Sequence, residues 1–185
     1  MSTVPLTETD QLTGVWQIDP AHSEVSFTVR HLMARVRGSF SSFGGTISVG
    51  DDPARSSVRA DIDITSVDTR SAERDKHLRS TDYFDTDTHP TAHFESATVR
   101  EQEDGRYSVE GFMTVKGETR LVTLDLVFLG VAEDPWGGTR AGFRASTRIS
   151  RSDFGVTGNV SLPGGRALIG DSVDIELEIE AVRQQ

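Results

Sequence analysis

The sequence has no cysteine, which removes both a disulfide framework and a thiolate nucleophile. No run approaches the roughly 20 consecutive apolar residues that a membrane-spanning helix needs. The opening MSTVPLTETDQLT lacks the basic start and apolar core of a secretion signal, so the chain as written is expected in the cytoplasm. Basic residues are outnumbered, 19 Lys+Arg against 29 Asp+Glu, and a net charge of -10 opposes binding along a phosphate backbone. A nucleic-acid partner is not expected. There is also no G-x-S-x-G elbow and no phosphate-binding glycine loop, and the acidic group Asp82, Asp85 and Asp87 lacks the glycine and terminal glutamate of a calcium loop.

What the sequence does have is alternation. The hydrophobic content of 35% is modest, but a half-buried strand needs an apolar residue only at every second position. Val25, Phe27 and Val29 alternate with polar neighbours, as do Val58, Ala60, Ile62 and Ile64, and near the C-terminus Val173, Ile175, Leu177 and Ile179 alternate with Asp174, Glu176, Glu178 and Glu180. Further strands are predicted over 91–100, 107–115, 120–129 and 140–150, with a tight turn at Lys116-Gly117, a turn around Glu103-Asp104-Gly105, a loop over 131–138 and a long aperiodic loop over 151–170. The pattern implies one all-β domain over residues 14–185, preceded by a flexible polar arm over 1–13. About eight strands in largely hairpin order favour an antiparallel barrel over a sandwich, because closure removes exposed edges.

One stretch interrupts the alternation. Residues 68–94 carry the convincing helical signal, with Asp68, Thr69 or Ser71 as N-cap, Glu73 in the first turn and Asp75 to Arg79 as an i,i+4 pair. Tyr83 and Phe84 follow directly, and Pro90 imposes extended geometry on His89. A short helical insertion bearing rings, set among strands, reads as a lid over the barrel. Arg74 and His77 on this helix either bind the polar end of a ligand at the barrel mouth or fasten the lid to the rim.

Five histidines invite a metal reading, but Pro90 keeps His89 and His93 off one regular helix, and strand spacing separates them by about 13 Å. No acid or thiol completes a known ligand pattern, and no metal is expected. Asp19, His22 and Ser23 bring an acid, an imidazole and a hydroxyl together, yet a loop ordered by Asx and Ser turns accounts for them more simply.

The order Trp16-x-Ile18-Asp19-x-x-His22-Ser23, Phe27-x-Val29-x-His31, Gly38-x-Phe40, Arg74-Asp75-x-His77-Leu78, Tyr83-Phe84-Asp85, Pro90-x-x-x-Phe94, Gly111-x-Met113-Thr114-x-Lys116-Gly117 and Arg151-x-Asp153-Phe154-Gly155 resembles the YceI-like family over nearly the whole chain. Met113 stands where that family usually has Leu, a change of apolar shape. The resemblance implies a lipocalin-like antiparallel barrel around a long apolar cavity, holding a polyisoprenoid chain or isoprenoid quinone, often in a homodimer. It implies no catalytic residue and no cofactor. The family is frequently periplasmic or secreted, and the N-terminus of this chain departs from that pattern.

Alternation and resemblance together assign the cavity lining to Phe27, Val29, Ile62, Phe84, Phe94, Phe112, Phe128 and Phe143, with Arg74, His77 and Tyr83 near the mouth. Two other readings of the same barrel stand beside the carrier. One is an enzyme or stress-response protein acting on a small polar substrate, with His22, His31 or His77 as acid or base. The other is a barrel filled by its own side chains.

Overall fold

The alternating segments form strands whose apolar faces share one interior. The computed structural model describes residues 11–103 and 105–185. Its strands are β1 (Gly14–Ile18), β2 (Glu24–His31), β3 (Ala34–Phe40), β4 (Phe43–Val49), β5 (Ser57–Asp63), β6 (Val67–Asp68), β7 (Thr91–Glu103), β8 (Arg106–Val115), β9 (Glu118–Glu133), β10 (Thr139–Ser150) and β11 (Ile169–Arg183), with helix α1 (Ala72–Arg79) between β6 and β7. Several short strands are halves of one long stave. β2 and β1 run in succession along the same edge of β11, as Val29↔Val173 and Ile18↔Ala181 show. β3 and β4 lie against β2 and β1, and β6 and β5 lie against β3 and β4. Counted this way, eight antiparallel staves follow each other in chain order and close where β11 meets the first. This is the expected barrel with its helical insertion.

The breaks within staves have local causes. Pro20 has no N–H for the ladder, and the Asp19 carboxylate accepts from Ala21 N at 3.0 Å, so a short 3-10 turn separates β1 from β2. Ser23 seals the gap: its hydroxyl donates to the Glu180 carbonyl at 3.1 Å and accepts from Glu180 N at 3.0 Å. At the other hairpins the backbone follows the sequence closely. Lys116 and Gly117 both have positive φ, 51° and 77°, the handedness that a two-residue turn between twisted strands requires.

One end of the barrel is packed solid. Leu12, Trp16, Ile18, Ile47, Ala141, Phe143 and Ala181 form a buried cluster there; Trp16 is fully buried, its Nε1 donates to the Leu12 carbonyl at 2.7 Å, and the Arg183 guanidinium lies over its ring at 4.7 Å. Of the flexible arm expected over 1–13, residues 1–10 lie outside the described residues, whereas Leu12 is core. Asp104, in the turn expected between β7 and β8, also lies outside them. The loop expected over 131–138 is shorter, because β9 continues to Glu133 with Val131 packed on the closed-end cluster.

Candidate ligand cavity

Above the closed end the barrel is hollow. A cavity of about 680 Å³ occupies the interior, with a predominantly apolar lining. The inward side chains of β11, Val173, Ile175, Leu177 and Ile179, all line it and are only half-buried although they point into the barrel. Side chains that face inward yet keep accessible surface border space that the protein's own atoms do not fill. The filled barrel is thereby excluded over this part of the interior.

Among the expected lining residues, Phe27, Val29, Ile62, Phe84, Phe94 and Phe143 border the cavity, as do Arg74, His77 and Tyr83. Two do not. Phe112 is 52% exposed on the outer face of β8, because Val109, Met113 and Val115 take the inward parity of that strand. Phe128 does point inward, but it belongs to the packed end, where its ring lies 5.8 Å from that of Phe143. It sits below the hollow.

The lid is docked rather than loose. Ser71 is the N-cap of α1. Asp75 forms no ion pair with Arg79; it is buried and accepts from Thr69 N at 2.8 Å and Thr69 Oγ1 at 2.6 Å, while Arg79 donates to the carbonyls of Thr65 and Val67. A buried backbone N–H must be satisfied, and that requirement outweighs an exposed i,i+4 pair. Arg74 likewise fastens the lid, donating from Nε to Thr69 Oγ1 and from Nη2 to the Thr69 carbonyl, both at 2.7 Å. His77 lies 3.1 Å from Asp82 and edge-on to Tyr83. Both residues therefore border the cavity and also anchor the lid.

Rings join lid to wall. Phe40, which the sequence reading did not assign to the site, sits between Phe27 at 5.5 Å and Phe84 at 6.3 Å. Gly38 makes room for this stack, since a Cβ there would lie 2.4 Å from the Phe27 ring. Below the lid, Tyr83, Phe154 and Val156 form a separate buried cluster with Leu78, Met113 and Ile149 packed on it. Lys116 Nζ ties the turn after α1 to the loop after β10, donating to the carbonyls of Thr81 and Gly155 at 3.2 Å each.

Arg151 organises the 151–170 segment. It is buried, and its guanidinium donates to four main-chain carbonyls, those of Gly170 and Val156 at 2.8 Å, Gly158 at 2.9 Å and Ile169 at 3.4 Å. It also borders the cavity beside Tyr83. Burial pushes the Tyr83 phenol above its ordinary value, which the Arg151 charge partly opposes, so Tyr83 stays a neutral hydroxyl at the cavity wall.

His22 is remote from the hollow. It joins Asp19, Glu180, Asp134 and Arg140 outside the packed end, where Arg140 Nη1 donates at 2.7 Å to both Asp19 and Glu180 and His22 Nδ1 lies 2.8 Å from Asp19. Asp19, His22 and Glu180 have the composition of a metal cluster, but a guanidinium already occupies their midst. Arg140, followed by His22, holds the Asp19 carboxyl down at about 2. His31 does border the cavity, and His93 pairs with Asp61 at 2.5 Å.

A closed eight-stave antiparallel barrel with a blind apolar hollow and a pinned helical lid is the architecture of proteins that enclose a hydrophobic ligand. The YceI-like domain model matches residues 16–181, and this chain belongs to that family. It is 38% identical over 170 residues to a UPF0312 protein of Vibrio cholerae, covering 89% of this chain and 84% of that protein, and 39% identical over 166 residues to Protein YceI of Shigella flexneri, covering 89% and 83%. Among solved structures it is similar to Burkholderia cenocepacia BcnA, with a TM-score of 0.76 at 25% identity over 88% of this chain and 98% of that one. A polyisoprenoid binding domain from Saccharophagus degradans shares the fold, with a TM-score of 0.71 at 16% identity over 91% and 98% of the two chains.

Proposed function

We propose that the barrel binds the tail of a long-chain isoprenoid lipid, a polyprenyl chain or an isoprenoid quinone, and serves as its carrier or reservoir. The apolar hollow of about 680 Å³ carries this reading. It falls within the roughly 300–1,000 Å³ typical of sites that enclose a small ligand. The polyisoprenoid binding recorded for the Saccharophagus degradans domain of the same fold supports the ligand class. Each tail methylene removed from water contributes about 0.8 kcal/mol, so a long tail binds firmly with few polar contacts. Tyr83, Arg151 and His77 lie where the polar end of such a ligand comes to rest, and Tyr83 offers it a neutral hydroxyl donor.

Organic extraction of the purified protein followed by mass spectrometry tests the reading. The expected result is a co-purified prenyl lipid, or, after delipidation, saturable uptake of one. Absence of both, with the protein still folded by circular dichroism, would overturn it.

A further inference from the structure

Two neighbouring segments carry arginines and no carboxylate of their own. Residues 30–37 and 156–168 together contain Arg30, Arg35, Arg37 and Arg166 and not one carboxylate, in a protein of net charge -10. The fold welds them into one surface. Leu32 N donates to the Leu168 carbonyl at 2.8 Å, and the Arg30 guanidinium bridges the segments by donating to the carbonyls of Leu32 at 2.9 Å and Ala167 at 3.3 Å. Apolar side chains stand out from this basic ground: Met33 is 92% exposed, Val160 58% and Leu32 46%. Of the same two segments, His31, Val160 and Leu168 also border the cavity, so the patch continues into the wall of the hollow.

We propose that this patch docks the protein on an anionic lipid bilayer. Elsewhere the excess of acid repels such a surface, and screening confines each charge to about 8 Å at physiological ionic strength. The patch where Arg35 and Arg166 stay outside contact ion pairs among the described residues is where a negative membrane approaches. The arginines supply the attraction, and the exposed Met33 and Val160 side chains enter the boundary between headgroups and acyl chains. Arg37 contributes little, because Glu24 and Glu176 already hold its guanidinium. Arg35 and Arg166 lie in no ion pair at contact distance among the described residues, although the Arg35 charge bears on Asp174, itself held by Arg148. The docking surface and the hollow are separable, since Met33, Arg35 and Arg166 are not among the residues that border the cavity.

Flotation of the full chain with vesicles of phosphatidylcholine, alone or mixed with phosphatidylglycerol, tests the proposal. The protein is expected to float with the mixed vesicles and to be released by added salt. Arg35→Ala and Arg166→Ala each lower the partition about fivefold. Met33→Asp lowers it more than about tenfold. Trp136→Asp is the control: Trp136 is 83% exposed in the loop between β9 and β10 at the packed end, and its replacement leaves flotation unchanged. Binding of anilinonaphthalene sulfonate to each variant reads the hollow independently, so failure of docking and failure of the lipid-binding reading remain distinct. Wild-type protein that ignores the mixed vesicles, or flotation that survives Met33→Asp and both arginine changes, would overturn the proposal.

Discussion

Replacing Ala60 by phenylalanine is the sharpest test of an unfilled hollow. Ala60 borders the cavity midway along β5, opposite Gly45 on β4 and Phe94 on β7. A new ring there projects into space that a ligand tail would use, displacing about four methylenes and removing about 3 kcal/mol of binding, or about two hundredfold in Kd. The fold should tolerate the change, because the ring enters an apolar space instead of a packed one, and Tm should hold or rise. Binding of an isoprenoid series to delipidated protein, followed by intrinsic fluorescence or calorimetry, checks both points. Tails too short to pass Ala60 should lose little, and longer ones should lose the full amount. A folded Ala60→Phe protein that binds the long tails as well as wild type would refute the reasoning.

Phe112→Asp should leave ligand affinity unchanged, since its ring is on the outer face; the same binding assay would expose a hidden role. Asp75→Ala should strand Thr69 N and Oγ1 and cost about 2–3 kcal/mol, seen as a lower urea midpoint at unchanged slope. Asp19→Asn should destabilise by about 1–2 kcal/mol near neutral pH, allowing for partial exposure of the Arg140 network. The sign follows from a folded value of about 2 against an ordinary 3.8: the wild-type advantage is complete above 3.8 and is lost as pH falls through about 2, because protons bind the unfolded carboxylate first. Denaturation at a series of acidic pH values should show the two proteins converging.

Much of the barrel was legible because period-two alternation is a direct record of which face is wet. In β11 the alternation names Val173, Ile175, Leu177 and Ile179, but it misses Ile169, assigned to the loop over 151–170, and Ala181. Phe112 shows how the same signal is overridden by residue type: Glu110 and Thr114 share its parity and Val109 and Met113 have the opposite one, so the strand itself marked it as outward. Phe128 shows a limit of another kind. Its parity is inward, but its height in the barrel depends on strand stagger, which no single segment encodes. Helical spacing pairs Asp75 with Arg79, yet the choice of Thr69 as partner depends on burial. Arg151 left no periodic trace because its partners are main-chain carbonyls, two in the aperiodic loop and two at the start of β11. Its place in the ordered family motif was the available hint.

The plug formed around Trp16 makes the hollow a dead end. On the proposed reading, a lipid that slides in leaves by the route it came, tail first on entry and head first on exit. On the carrier reading, a bound lipid keeps its polar end toward the opening while its chain is sheathed. The depth from doorway to plug then acts as a ruler: a tail longer than that depth leaves its surplus outside, in water, with no return for its length.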